Sequence, residues 1–302
     1  ARHGGLPVLI SGAMPPLPIT YRLPVPSAQV KSAIFLAGLG APCKTTVIES
    51  FPTRDHTENL LQAFGAEITV EKSDGESHIT LVGQPELKAQ DVIVPGDPSS
   101  AAFPLVAALI TPDSKVVVRG IGMNERRTGL FQCLREMGAD LEIDPVRSAC
   151  GEPVADLTAR TSTLKAIEVP AGRAPRMIDE YPILAAAAAC ADGATVMRGL
   201  SELRIKESDR LTAIARGLSN CGVQALMHGD TLTVIGVGSD NVPKGGGDIV
   251  TQGDHRIAMA FLTLGLAGKK PVTVDDGSVI TSSYPGFVDD MTLLGAAIAD
   301  LT

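Results

Sequence analysis

Lys206-Glu207-Ser208-Asp209-Arg210, with Arg204 just ahead of it, packs three cations and two carboxylates into seven residues between apolar segments. On a helix, Lys206 and Arg210 share one face, because they are four apart, and like charges at that spacing repel. A cation pair that costs the fold something is explained if an anion sits between the side chains. Glu207 and Asp209 then project elsewhere and can serve as acid, base or tether. The plain alternative is a solvated helix start laced with local ion pairs.

Other groups with chemical potential stand where small-residue helices are expected to open. Helix N-termini offer free N–H groups and a positive dipole end, which suit phosphates and carboxylates. Pro26-Ser27-Ala28-Gln29 places a hydroxyl and an amide at such a point, although Ser27 also reads as an ordinary N-cap. Asp97, in Gly96-Asp97-Pro98-Ser99-Ser100, reads as a cap and hinge anchor rather than a catalytic group. Asp179 can cap its own helix. Glu180 follows it and Arg173 and Arg176 precede it, so its acidity can also be tuned by neighbours. Asp254-His255-Arg256 runs straight into Ile257-Ala258-Met259-Ala260-Phe261. An Arg at a helix start is unfavourable unless it faces an anion. Arg54-Asp55-His56 repeats that pattern more weakly.

The elements that must position these groups recur four times. A helix-like segment ends in Gly, a small residue follows, and alternation begins. The copies are Phe64-Gly65-Ala66, Met137-Gly138-Ala139, Cys221-Gly222-Val223 and Leu294-Gly295-Ala296, with glycines 73, 84 and 73 residues apart. Each copy is preceded by one of the helix openings and a β-branched strand: 45–48, 116–118, 195–197 and 272–274. Each unit therefore reads strand, helix, strand, helix, strand, strand over about 75 residues. In the first unit the closing pair is 67–71 and 78–82, joined by Ser73-Asp74-Gly75. Helices alternating with strands imply helix-covered sheets, an α/β class. Ala-rich stretches such as 184–189 are expected to be buried on all sides. A boundary is expected between 91 and 96, giving units 1–94 and 95–302 around a cleft.

Composition narrows the class. Hydrophobic residues make up 44% of the 302 and charged residues 20%, which fits a globular fold rather than disorder. Aromatics are 3% and Trp is absent, so the core must be aliphatic. A net charge of −8 argues against a nucleic-acid surface and makes local cation clusters call for a local anion. The five cysteines, Cys43, Cys133, Cys150, Cys190 and Cys221, lack CxxC or CxxH spacing, so neither a disulfide frame nor a metal site is expected. The apolar runs 183–191 and 257–268 are too short to span a membrane. No signal peptide is seen, and a cytoplasmic setting is expected. The chain opens on Ala1-Arg2-His3-Gly4 without Met, as a processed product or fragment would.

Six motifs in register carry a family resemblance. They are Pro26-Ser27-Ala28-Gln29-Val30-Lys31-Ser32, Thr53-Arg54-Asp55-His56-Thr57-Glu58, Gly96-Asp97-Pro98-Ser99-Ser100, Ile178-Asp179-Glu180-Tyr181-Pro182, Arg204-Ile205-Lys206-Glu207-Ser208-Asp209-Arg210 and Asp254-His255-Arg256-Ile257-Ala258-Met259. Together they resemble the 5-enolpyruvylshikimate-3-phosphate synthases of the bacterial glyphosate-insensitive type, over nearly the whole chain. The resemblance implies a two-lobed fold of βαβαββ units, three per lobe. It implies transfer of an enolpyruvyl group from phosphoenolpyruvate to the 5-hydroxyl of shikimate 3-phosphate, with release of phosphate. No metal or organic cofactor is implied, and neither a nucleic-acid nor a membrane partner. By the same resemblance Asp179 takes the proton of the attacking hydroxyl, Lys206 contacts the shikimate hydroxyls, and Glu207 protonates the methylene carbon. Ser27, the backbone of Ala28, Gln29 and Arg54 hold shikimate 3-phosphate. Arg210 and Arg256 clamp the phosphoenolpyruvate carboxylate, with Gln29 and His255 nearby.

The chain also departs from the pattern. Ser282 stands where many family members carry Lys. The family's first two repeats, with a Gly-Asp-Lys-Ser-Ile-Ser-His-Arg phosphate loop, have no counterpart, so four of six units are expected. The chain then corresponds to the C-terminal two-thirds of an enzyme that is monomeric when complete and needs its N-terminal segment. The sister transferases acting on UDP-N-acetylglucosamine share the fold but lack the pairing of Lys-Glu-Ser-Asp-Arg with Asp-His-Arg. A catalytically inactive binding protein of the same descent is the reading from another class.

Overall fold

The computed structural model describes residues 9, 11–238 and 240–300. The chain divides into two compact units: Ala1–Ile93 with Ser148–Glu152, and Val94–Arg147 with Pro153–Thr302. The return of Ser148–Glu152 to the first unit breaks the simple division at one point in the chain. Within that unit Glu152 accepts from Asn59 Nδ2 at 3.1 Å and lies 2.9 Å from His56 Nδ1. Residues fifty or more positions away cannot be assigned to a unit from local pattern.

The first unit runs β1 (Thr20–Arg22), α1 (Ala28–Gly38), β2 (Lys44–Glu49), α2 (His56–Ala63), β3 (Ile68–Ser73) and β4 (Glu76–Val82). Its sheet has the order β1-β2-β4-β3. β1 and β2 are parallel, which requires a crossover, and α1 supplies it. β3 and β4 form a hairpin around Asp74 and Gly75, both at positive φ (52° and 80°), as a two-residue primed turn demands. The core is small: Leu23, Phe35, Val47, Leu61, Ala66, Ile68, Ile79 and Leu81. Only Lys31, Phe35 and Gly38 of α1 are buried, and Val30 and Leu36 are exposed.

The second unit holds three repeats. The first contains α3 (Pro98–Ile110), β5 (Lys115–Gly122), α4 (Gly129–Glu136), β6 (Asp140–Ile143), a short β7 (Arg147–Ala149) that runs into the Ser148–Glu152 segment counted with the first unit, and β8 (Glu152–Arg160). Next come β9 (Glu168–Val169), α5 (Tyr181–Ala189), β10 (Ala194–Met197), α6 (Arg210–Asn220), β11 (Gln224–His228) and β12 (Thr231–Ile235). The last contains β13 (Asp248–Ile249), α7 (His255–Gly265), β14 (Thr273–Val274) and α8 (Phe287–Leu293). The sheets are β5-β8-β6, β11-β12-β10-β9 and the parallel pair β13-β14.

The first helices of these repeats, α3, α5 and α7, pack on one another. All nine residues of α5 are buried, which explains its Ala-rich, all-apolar character: a helix enclosed on every side has no polar face to offer. Phe103 and Phe287 meet edge-on with centroids 6.0 Å apart in this core.

The four repeat glycines do one job. Gly65, Gly138, Gly222 and Gly295 have φ of 95°, 84°, 75° and 102°. In each copy the residue after the glycine donates back five positions, as Ala66 N does to Leu61 O and Ala139 N to Leu134 O, both at 2.9 Å. This is the helix-terminating motif in which the left-handed residue is best a glycine. The expected strand after Gly295 does not form: residues 296–298 pair with no strand among the described residues. Ala296 and Ile298 pack partly buried against the core instead, so their alternation serves packing without a ladder.

Candidate active site

Asp179, Lys206, Glu207, Arg210, His255 and Arg256 lie in the second unit. Asp179 sits in a short 3-10 turn (Ile178–Glu180) ahead of α5; Glu180, not Asp179, holds the cap position, and neither caps with its side chain. Lys206 and Arg210 do not share a helix face. A 3-10 turn ends at Ile205, Lys206 is extended at ψ −152°, and α6 starts only at Arg210. Asp209 prevents earlier helix formation by capping: its carboxylate takes Thr212 N at 3.1 Å and Thr212 Oγ1 at 2.7 Å. Arg204 braces this cap, with Nη1 3.2 Å from Asp209 Oδ2.

The two cations nonetheless meet, on Asp179. Arg210 Nη1 donates to Asp179 Oδ1 at 3.0 Å, and Lys206 Nζ lies 3.7 Å from the same oxygen. The anion that reconciles the cation pair is therefore a side chain of the protein. Lys206 also pairs with Glu202 at 2.7 Å. Arg210 is fully buried and spans three carboxylates: Asp179, Glu207 and Asp254. Glu207 is the solvent-facing member, with half its side chain exposed. Burial is the largest single influence on Asp254 and works against its charge, but the hydrogen bond and charge of Arg210, together with the hydrogen bonds from Ser208 and Arg256 N, outweigh it and hold the carboxyl below the usual carboxylate range.

Asp254 is the residue that sequence reading undervalued. It caps α7 by accepting from Arg256 N at 2.9 Å, while its other oxygen takes Arg210 Nε at 2.7 Å and Ser208 Oγ at 3.0 Å. The signal was present, since Asp in front of a helix is a cap, but no local pattern shows that its second oxygen meets a cation 44 positions away. Arg256 extends over the same turn as Asp179: its Nη1 is 3.3 Å from Asp179 O and 3.8 Å from Glu180 Oε1. Its position at the helix start is explained by these acceptors. His255 is half-buried, and burial followed by the neighbouring Arg256 pushes its pKa down, so it is neutral at neutral pH.

Glu180 was also missed as a participant. It is buried, accepts from Ser99 Oγ, and burial pushes its pKa up. Ser99 in turn receives Arg127 Nη2 at 2.8 Å, and Arg127 pairs with Asp97 at 2.7 Å. Asp97 caps α3 through Ser100 N at 2.9 Å, as its position implied. Arg173 and Arg176, expected near Asp179, are committed elsewhere: Arg173 to Glu136 at 2.6 Å, Arg176 to Glu125 O at 2.7 Å. Ser282 is exposed and donates to Val279 O at 2.7 Å, turning its hydroxyl onto its own 3-10 turn.

The remaining candidates belong to the first unit. Ser27 caps α1, accepting from Val30 N at 3.3 Å, with Ala28 half-buried and Gln29 exposed behind it. Arg54 lies in the turn between β2 and α2, half-buried. A cleft beside the α1 start is lined by Leu23, Pro24, Pro26, Glu49 and Phe51. Among the described residues no group of three or more His, Cys, Asp or Glu is arranged to hold a metal ion, and no helix is long and apolar enough to cross a membrane.

The strand–helix repeats have the enolpyruvyl-transferase type of fold, as solved structures show. An EPSP synthase structure from Acinetobacter baumannii superposes with a TM-score of 0.88 at 43% identity, covering 94% of this chain and 64% of that one. The enolpyruvyl transferase NikO from Streptomyces tendae shares the fold at a TM-score of 0.68 and 23% identity, covering 88% of this chain and 58% of that one. The family model for EPSP synthase (3-phosphoshikimate 1-carboxyvinyltransferase) matches residues 2–291, and the chain belongs to that family. The 3-phosphoshikimate 1-carboxyvinyltransferases of Rhodospirillum rubrum and Methylorubrum extorquens are 60% and 57% identical to it over 99% of its length. The chain spans 66% of the length of each.

Proposed function

We propose that the protein transfers the enolpyruvyl group of phosphoenolpyruvate to the 5-hydroxyl of shikimate 3-phosphate, releasing phosphate, as a step in aromatic amino-acid biosynthesis. The observation that carries this reading is the Asp179 carboxylate held between Lys206 and Arg210, with Arg256 on its backbone, in a chain of this family. Asp179 takes the proton of the attacking hydroxyl. Lys206 steadies the ring hydroxyls beside it. Glu207 delivers a proton to the methylene carbon as the hydroxyl oxygen bonds to the adjacent carbon. Loss of phosphate and of a proton from the new methyl group then restores the vinyl ether.

Both substrates are anions, and the chain carries a net charge of −8, so binding depends on local cations. Arg210 and Arg256 take the phosphoenolpyruvate carboxylate, with His255 contributing a neutral contact. Of the three carboxylates on Arg210, Glu207 is the exposed one and is the one able to move aside. Ser27, the amide of Ala28, Gln29 and Arg54 hold shikimate 3-phosphate, the first three using the free N–H groups of a helix start. The motifs resemble those of the glyphosate-insensitive type, and a cytoplasmic enzyme, monomeric when complete, is the expected state.

Incubating the chain, supplemented with the N-terminal segment that its relatives carry, with both substrates and following the product by mass spectrometry tests the reading. Shikimate 3-phosphate should gain one enolpyruvyl group. Binding of both ligands without product would mark an inactive binding protein and contradict the transferase.

A further inference from the structure

The first unit contains a buried ionic cluster that the reaction itself does not use. Lys31 has no exposed surface, and its Nζ lies 2.6 Å from Glu58 Oε1 and 3.3 Å from Glu49 Oε2. Glu49 Oε2 also receives Thr53 Oγ1 at 2.8 Å and Thr53 N at 3.3 Å. Alongside, Ser32 Oγ meets Thr57 Oγ1 at 2.6 Å. The partners are distributed in a telling way. Lys31 is on the first turns of α1, directly behind Ser27, Ala28 and Gln29. Glu49 is the last residue of β2, Thr53 immediately precedes Arg54, and Glu58 is in the first turn of α2.

Stability does not account for this arrangement. A cation in the opening turns of a helix opposes the dipole. Burying it costs desolvation, and apolar residues of similar volume often serve a core as well or better. Burial pushes the Glu58 carboxyl up even with Lys31 against it, so the cluster sits under electrostatic load. What an ionic cluster provides that packed methylenes do not is directional connection between separate segments. Here the segments joined are the α1 opening and the turn that carries Arg54.

We propose that Lys31 is a positioning residue. Its ammonium, held by Glu49 and Glu58, fixes the α1 start and the Arg54 turn as one platform for a phosphorylated polyol, and makes no contact with that ligand. The inference rests on the reading that Ser27, Ala28, Gln29 and Arg54 hold shikimate 3-phosphate.

Two variants test it: Lys31→Met, and Lys31→Met/Glu49→Gln/Glu58→Leu, which removes all three charges while position 49 still accepts from Thr53. Calorimetric titration with shikimate 3-phosphate and, separately, inorganic phosphate is run beside thermal unfolding. The triple variant should unfold near the wild-type temperature, yet bind shikimate 3-phosphate roughly 10–100-fold more weakly, as small misplacement of a binding group does. Inorganic phosphate, which needs no fixed spacing, should bind with little change. Wild-type affinity for shikimate 3-phosphate in a stable triple variant would overturn the proposal and leave the functional reading intact. Absence of shikimate 3-phosphate binding by the wild type would overturn both. If both variants unfold, hydrogen exchange on the wild type decides. Amides of residues 28–32 and 53–58 should gain protection together on adding shikimate 3-phosphate, and protection confined to one segment would contradict the coupling.

Discussion

Arg210 Nε lies 2.7 Å from Asp254 Oδ2, and neither side chain has exposed surface. The pair joins the start of α6 to the start of α7, and Arg210 continues from it to Asp179. The candidate chemistry of Asp179 is thus referenced to a buried ion pair rather than to surface side chains.

Breaking that pair should be costly. Asp254→Ala leaves Arg210 buried with one strong partner fewer and removes the cap of α7. Losing one member of a buried pair costs about 3–5 kcal/mol. Equilibrium denaturation should show a loss of that order, and a loss comparable to an exposed ion pair would contradict the assigned burial.

The same pair predicts a pH dependence. The folded-state pKa of Asp254 is depressed below its ordinary 3.8, so its contribution is fully present above that value and disappears as pH falls through the folded pKa. The stability difference between wild type and Asp254→Asn should be flat near neutrality and shrink only below pH 3.8. His255 works in the other range. Its pKa is lowered from 6.5, so the unfolded chain binds its proton first and acidification below 6.5 costs stability. His255→Gln should remove that part of the slope, and an unchanged slope would contradict the burial of His255.

Gly138→Ala tests the repeat architecture. The position has φ 84°, and an added Cβ would meet nothing closer than 3.8 Å, so the cost is conformational rather than steric. A left-handed non-glycine residue costs about 1–2 kcal/mol. Denaturation should show that loss, with Gly138→Asn losing less.

Arg256→Lys tests the carboxylate clamp. Lysine keeps the charge but loses the planar fork that fixes a carboxylate. The KM for phosphoenolpyruvate should rise by about tenfold or more, equivalent to 1.4 kcal/mol. The KM for shikimate 3-phosphate should move little; a change confined to that substrate would place Arg256 on the wrong ligand.

Much of the fold was legible because the repeats are marked by backbone chemistry. Glycines at left-handed helix ends and caps at helix starts are local requirements, so Gly65, Gly138, Gly222, Gly295, Asp97 and Asp254 carry them visibly. Convergence of Lys206 and Arg210 was also foreseeable, although by a different route. Charge repulsion asked for an anion, and the anion proved to be Asp179, reached from an extended residue and a helix start rather than one helix face. What stayed hidden depends on distant partners. Residues 296–298 alternate like a strand but have no neighbouring edge among the described residues. Glu180 meets Ser99 across 81 positions and Lys31 meets Glu49 across 18, and neither pairing leaves a local sequence signal.

The most direct test of the account is phosphate release from phosphoenolpyruvate, measured with and without shikimate 3-phosphate, for wild type and Asp179→Ala, each supplied with the N-terminal segment that the relatives carry. Release should require shikimate 3-phosphate. It should fall by about 10²–10⁴-fold in the variant, as loss of a positioned general base does, while affinity for shikimate 3-phosphate stays near wild type. Release at the wild-type rate from Asp179→Ala would contradict the role given to Asp179 and, with it, the site built around it.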